Sequence, residues 1–194
     1  MELRLVTPPT EGPIALDEAK AHLRVDGDAE DFTIDTLLAA AVQHVETVTH
    51  RALMPQEWSV IHSVPWAAHR CRSAPLGLPN PPLRAVTRVE SLDAAGLATE
   101  MPVDTFRVLM PSGPTAGAAS IVPLSGWAWP DTGIRITYQA GYAGADAVPR
   151  ALKAAILLVL GDLFENREGG SQGRAYVVNP TVERLLRPFV VLWP

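Results

Sequence analysis

The chain has 194 residues with a net charge of −5 and a single cysteine, Cys71. A chain of this size buries roughly 70% of its unfolded surface and needs no staple, and one cysteine excludes both an intrachain disulfide and a four-ligand zinc site built on thiolates. Acidic balance argues against an electrostatic grip on DNA, which needs a basic surface to release counterions. A lone cysteine fits a reducing compartment. Met1 to Glu11 carries charges and Pro8-Pro9 and has no apolar signal-peptide core. The longest apolar run, Ala154 to Gly161, is far short of the ~20 residues that span a bilayer. A soluble protein made in the cytoplasm, with no membrane partner, is expected.

Taken in chain order, residues 14–54 read as two helices. Leu16 to Arg24 has Asp17 and Glu18 in its first turn, where carboxylates suit the helix dipole. Asp26-Gly27-Asp28 ends it, with Asp28 as the expected N-cap of the next helix and Asp31 three residues on. Ile34, Leu37, Leu38, Ala41, Val42, Val45 and Val48 then recur at helical spacing. Pro55 closes the region. Residues 56–141 read as a β insertion of about five short strands. Trp58, Val60, His62 and Val64 alternate with Ser59, Ile61 and Ser63. Val86 to Leu92 follows the turn Pro79-Asn80-Pro81-Pro82, and Asp93-Ala94-Ala95-Gly96 reads as a hairpin turn. Phe106 to Leu109, Ser120 to Leu124 and Gly133 to Gln139 supply the rest, kept short by the surrounding prolines.

Residues 146–187 return to helix. Pro149 suits a first turn, and Leu152, Ala155, Ile156, Val159, Leu160 and Leu163 form one stripe. Glu168 to Gly173 reads as a loop. Asn179 and Pro180 start a short last helix, and Pro188 is expected to stop it. Residues 188–194 then form an extended tail. The predicted fold class is α+β: a bundle of about four helices with an inserted small antiparallel sheet or sandwich, in one domain.

The residues carry no arrangement for catalysis. His22, His44, His50, His62 and His69 form no ligand motif, and His44 and His50, six apart, lie on different faces of a helix. There is no Gly-x-Ser-x-Gly elbow and no phosphate loop ending in Gly-Lys-Ser/Thr. Gly169-Gly170-Ser171-Gln172-Gly173 reads as a linker, and Asp162 and Glu165 near Arg167 read as solvated helix charge. No cofactor, no metal and no enzymatic activity are expected. The apolar ends are more informative. Phe189, Val190, Val191, Leu192 and Trp193 either fold back on the core or dock on a partner, and docking is the expectation, because aromatic anchors dominate interface energy. Trp127 and Trp129 serve equally well as interface anchors or as loop packing on the sheet.

Several stretches, in this order, carry a resemblance. Leu16-Asp17-Glu18-Ala19-Lys20-Ala21-His22-Leu23-Arg24-Val25 precedes a short acidic linker, the Ile34–Val48 helix with Glu46, and Arg51-Ala52-Leu53. Leu78-Pro79, Pro82-Leu83, Val86, Val89 and the Asp93–Gly96 turn follow. Ile136-Thr137-Tyr138, Ala140-Gly141-Tyr142, Val148-Pro149, Leu163-Phe164-Glu165-Asn166-Arg167, Val182, Leu185-Leu186 and Pro188-Phe189 complete the set. Together they resemble the head–tail connector (adaptor) proteins of tailed phages and phage-like gene transfer agents. The chain departs from that pattern at Ala15, where a capping Ser or Thr is common, and at Val190-Val191, where a basic residue is common.

The resemblance implies a structural role. A homo-oligomeric ring of about twelve subunits would sit beneath the portal protein in the particle neck, extend the DNA channel and offer a platform to the next tail-completion (stopper) protein. DNA would pass without specific binding. The helices would build the ring wall, the tail Phe189–Trp193 would reach the portal, and the β insertion would face outward or toward the tail. The other reading open from the residues is a cytoplasmic β-rich module with helical flanks that binds a protein or a small ligand.

Overall fold

The computed structural model describes residues 1–63, 74–124, 128–130, 132–166 and 179–192. Among these are eight strands and four helices. Helices α1 (Leu16–Leu23) and α2 (Asp31–Thr49) come from the first part of the chain, and α3 (Arg150–Glu165) and α4 (Pro180–Leu186) from the last. Ile34, Leu38, Ala41 and Val45 of α2 meet Leu152, Ala155, Ile156 and Leu160 of α3 in one core, which Val182 and Leu186 of α4 close. Their spacing of three and four is what places them on one stripe.

The β region is a two-sheet sandwich. Strands β1 (Glu2–Thr7), β2 (Gln56–His62), β8 (Ile134–Ala140), β4 (Leu83–Leu92) and β5 (Ala98–Glu100) form an antiparallel sheet in that order, and β3 (Leu76–Leu78), β7 (Ala119–Pro123) and β6 (Phe106–Leu109) form a second. Alternation along β8 sends Ile134, Ile136, Tyr138 and Ala140 inward, against Val60, Val89, Leu78 and Ile121. The Tyr138 hydroxyl is buried there and donates to Pro79 O at 3.0 Å. Asp93 holds the expected hairpin turn: its carboxylate accepts from Ala95 N at 2.9 Å and Leu97 N at 2.7 Å, and Gly96 supplies φ +81°.

The α+β class, the helical regions and the hairpin follow the reading above. Four details differ. Glu2 to Thr7, where the sequence predicts no strand, pairs with β2 across Glu2↔Ile61 to Thr7↔Glu57. The short strands β3 and β5 were also missed. Helix α2 begins at Asp31, after Glu30, with no side-chain cap. The Asp31 carboxylate is drawn to Lys20 Nζ at 2.6 Å instead, which ties α1 to α2. Finally, α4 does end at Leu186, just ahead of Pro188, but the extended tail does not start there. A 3-10 turn runs over Arg187–Phe189 and takes Pro188 into its first turn, where a missing N–H costs nothing. Extended backbone starts only at Val190. Val64, His69, Cys71, Trp127, Arg167 and the 168–173 loop lie outside the described residues.

Candidate partner-docking site

The tail is the sequence-predicted site. Its path is set by α4, which Asn179 caps by accepting from Thr181 N at 3.0 Å. Val182 and Leu186 anchor α4 in the helical core, and this fixes where Phe189 arrives. Phe189 and Val191 are buried against the subunit, whereas Val190 is 36% and Leu192 88% exposed. The structure thus splits the predicted residues. Two of them hold the tail to its own chain, and two face outward. Trp193 lies outside the described residues.

Polar contacts fix the same segment. Arg51 is buried at the end of the α2 turn, and its Nε donates to Phe189 O at 2.5 Å while Nη2 donates to Thr115 O at 3.1 Å. Val191 N donates to Thr49 O at 3.0 Å. Tyr142 lies against Arg51 and donates from its hydroxyl to Pro114 O at 2.7 Å. Burial pushes the Arg51 guanidinium below its usual range, and Tyr142 partly offsets this. Burial also raises the Tyr142 phenol, with Arg51 opposing. Carbonyl dipoles and a phenol therefore stand in for a counter-ion, and the cation joins the tail, the 110–118 loop and the start of the β region. Sequence reasoning gave Arg51 no such role. An arginine just after a helix carries no local sign of burial.

A second junction lies one turn back. Glu46 Oε1 accepts from Leu53 N at 2.8 Å and from Gln56 Nε2 at 3.1 Å, bridging α2 to β2. Burial raises its pKa above the ordinary carboxylate value, and those two donors only partly offset it. Across the window between the ordinary and the raised value, the folded state holds a proton that the unfolded chain has released. Stability contributed by this group is therefore full below the ordinary value and is lost as pH rises through the raised one. Glu46→Gln keeps an acceptor oxygen for both donors. It should melt at the same or a higher temperature at neutral pH, and should lose this fall in stability with rising pH. Melts of both proteins across pH 4 to 8 check it, and an unchanged pH slope would count against the assignment.

Of the histidines, His62 sits with Nε2 2.9 Å from Gly77 O, and burial lowers its affinity for a proton. No group of three His, Cys, Asp or Glu residues that could hold a metal occurs among the described residues. No described helix is long and apolar enough to cross a membrane. Trp129 is buried in the sandwich, with Nε1 donating to Ala74 O at 2.8 Å, so it packs a loop onto the sheet.

Residues 13–70 match the family model for phage gp6-like head-tail connector proteins. Solved structures with the same fold cover 100% of this chain and 97% of theirs. One comes from the virion of a native gene transfer agent (GTA) particle, at 25% identity and TM-score 0.79. Another is from the neck of an empty GTA particle computed with C6 symmetry, at 23% and 0.79. A third is from the neck of a native GTA particle computed with C12 symmetry, at 22% and 0.70. Over residues 13–70 the chain is similar to head–tail connectors, as its sequence suggests. No curated protein sequence matches the chain. The stretch that matches the connector family contains Thr49 and Arg51, the residues that receive the tail; the tail itself lies outside it.

Proposed function

We propose that this protein is a structural head–tail adaptor: about twelve copies form a ring beneath the portal of a phage-like particle, extend the DNA channel and join the capsid to the tail. The match of the whole chain to a GTA virion protein is the observation that carries the reading, and the connector family match over residues 13–70 supports it. Six- and twelve-fold symmetry in the neighbours' necks favours a homo-oligomeric ring. A closed ring needs a head-to-tail contact between two different surfaces of each subunit. The role is mechanical, with no bond made or broken. The portal receives the exposed side chains of the tail, Val190 and Leu192, with Trp193 beyond them. The next tail-completion protein takes the opposite rim.

Removing the gene should leave DNA-filled heads and free tails in electron micrographs of lysates, and restoring the wild-type chain should rejoin them. Joined particles without the protein would overturn the reading. Channel electrostatics follow from charge. Twelve copies at −5 each carry about −60, which repels the DNA backbone at low salt. The free protein should give no gel shift with duplex DNA at physiological salt, and sub-micromolar binding would contradict a non-adhesive conduit.

A further inference from the structure

The five-stranded sheet ends on two unfinished edges. On one side β1 pairs only with β2 among the described residues, and all six of its residues are exposed. Leu3 and Leu5 lie opposite Val60 and Trp58, on the face that forms the sandwich core, yet they are 37% and 39% exposed. On the other side β5 pairs with β4 only across Glu90–Leu92. From Leu83 to Arg88 that flank of β4 has no strand beside it among the described residues. A cavity of about 310 Å³ opens there, lined by Val86, Met101, Val103, Phe106 and Met110, with Arg88 and Glu100 also on its wall. Val103 and Met110 are exposed. An unpaired strand edge is a template for another strand, and here an apolar groove runs beside it.

We infer that β1 of one subunit docks on the open flank of β4 in the next copy, so that the ring is closed by a shared sheet. This rests on the adaptor reading, which requires a head-to-tail contact. Three antiparallel steps separate β1 from β4, so the two strands run in opposite directions. For a ring axis running along the strands, the neighbour's β1 therefore arrives antiparallel to β4, which continues the sheet's own pattern. Leu3 and Leu5 then fall on the groove side, beside Val86 and Phe106. Glu2 and Arg4 continue the outer charged face, where Arg88, Glu90 and Arg135 already lie, and Glu2 meets Arg88. Register shifts in β4 between Leu83 and Ala85 and between Val86 and Arg88 shorten the ladder, which keeps the contact weak between two subunits alone. Size is consistent. At about 4.8 Å per strand, the four strands β1, β2, β8 and β4 give twelve copies a belt roughly 73 Å across, leaving a central channel inside a layer of helices about 10–12 Å thick.

The contact is read out in particles purified from the source organism, in a chain carrying Cys71→Ser. Adding Leu5→Cys together with Met110→Cys and treating with a short bismaleimide should give a ladder of covalent multimers on a denaturing gel. Either single substitution should give monomer alone. Protein present at wild-type level in tailed particles, with no species above monomer, overturns the strand contact and leaves the adaptor reading intact. Wild-type chain absent from the particles overturns the adaptor reading, and this inference with it. Independently, Arg88→Glu should fold with an unchanged melt and lower joined particles at least tenfold, and adding Glu2→Arg should restore them. Normal joining by Arg88→Glu, or no rescue by the second change, counts against the pairing.

Discussion

Gly141→Ala should lower the melting temperature by roughly 6–20 °C. Gly141 follows β8 with φ +106°, where a side chain is strained, and a Cβ there would stand 2.0 Å from Met54 O and 2.5 Å from Met54 C. Neither contact can yield by a side-chain rotation, because both atoms are backbone. Gly141 N also donates to Pro82 O at 2.9 Å, so the turn is held from a second side. Relief requires β8 to separate from the α2–β2 connection, which opens the seam between the helical core and the sandwich. Strain and displacement together are expected to cost about 3–5 kcal/mol, and each kcal/mol is worth about 2–4 °C in a domain of this size. Thermal melts by circular dichroism check it. A variant within 2 °C of wild type would mean that Gly141 does not approach Met54 so closely in solution.

The tail should separate into two classes of variant. Phe189→Ala empties a buried site in the helical core and is expected to cost about 3 kcal/mol, or roughly 6–12 °C. Deleting 188–194 removes Phe189 and Val191 and also the carbonyl that receives Arg51, so it should destabilise the subunit further. Leu192→Asp changes an exposed side chain and should alter stability by less than about 0.5 kcal/mol. If the tail docks on the portal, that variant folds normally yet yields filled heads with detached tails. Melts and particle counts on the three proteins resolve the two contributions. A Leu192→Asp chain that still joins heads to tails removes the docking proposal; an unchanged melt for Phe189→Ala removes the anchoring role.

Much of the architecture was legible because it rests on local periodicity. The stripes in α2 and α3 repeat at 3.6 residues and those in β8 at two, and each matches a buried face. Asn179-Pro180 and Asp93–Gly96 were readable for the same reason, since capping and turn bonds span only two to four residues. β1 had a visible signal, Glu-Leu-Arg-Leu, but its apolar residues stay half open, so alternation there did not report on a core. Pro188 misled because proline forbids a helix interior but not the first turn of a new one.

Residue order alone determined the elements, the mild acidity, the absence of a recognised catalytic motif and the ordered stretches that resemble a connector. Tertiary structure decided which tail residues are anchors and which are free, since that depends on where Arg51, Thr49 and Tyr142 stand when α4 ends. It also decided that Gly141 is a contact point with Met54 as well as a turn, and that one sheet finishes, among the described residues, on two open edges. These are contacts between residues far apart in the chain, such as Arg51 with Phe189, 138 positions away. No local pattern encodes them, because each partner's surroundings come into being only when the helical core and the sandwich pack.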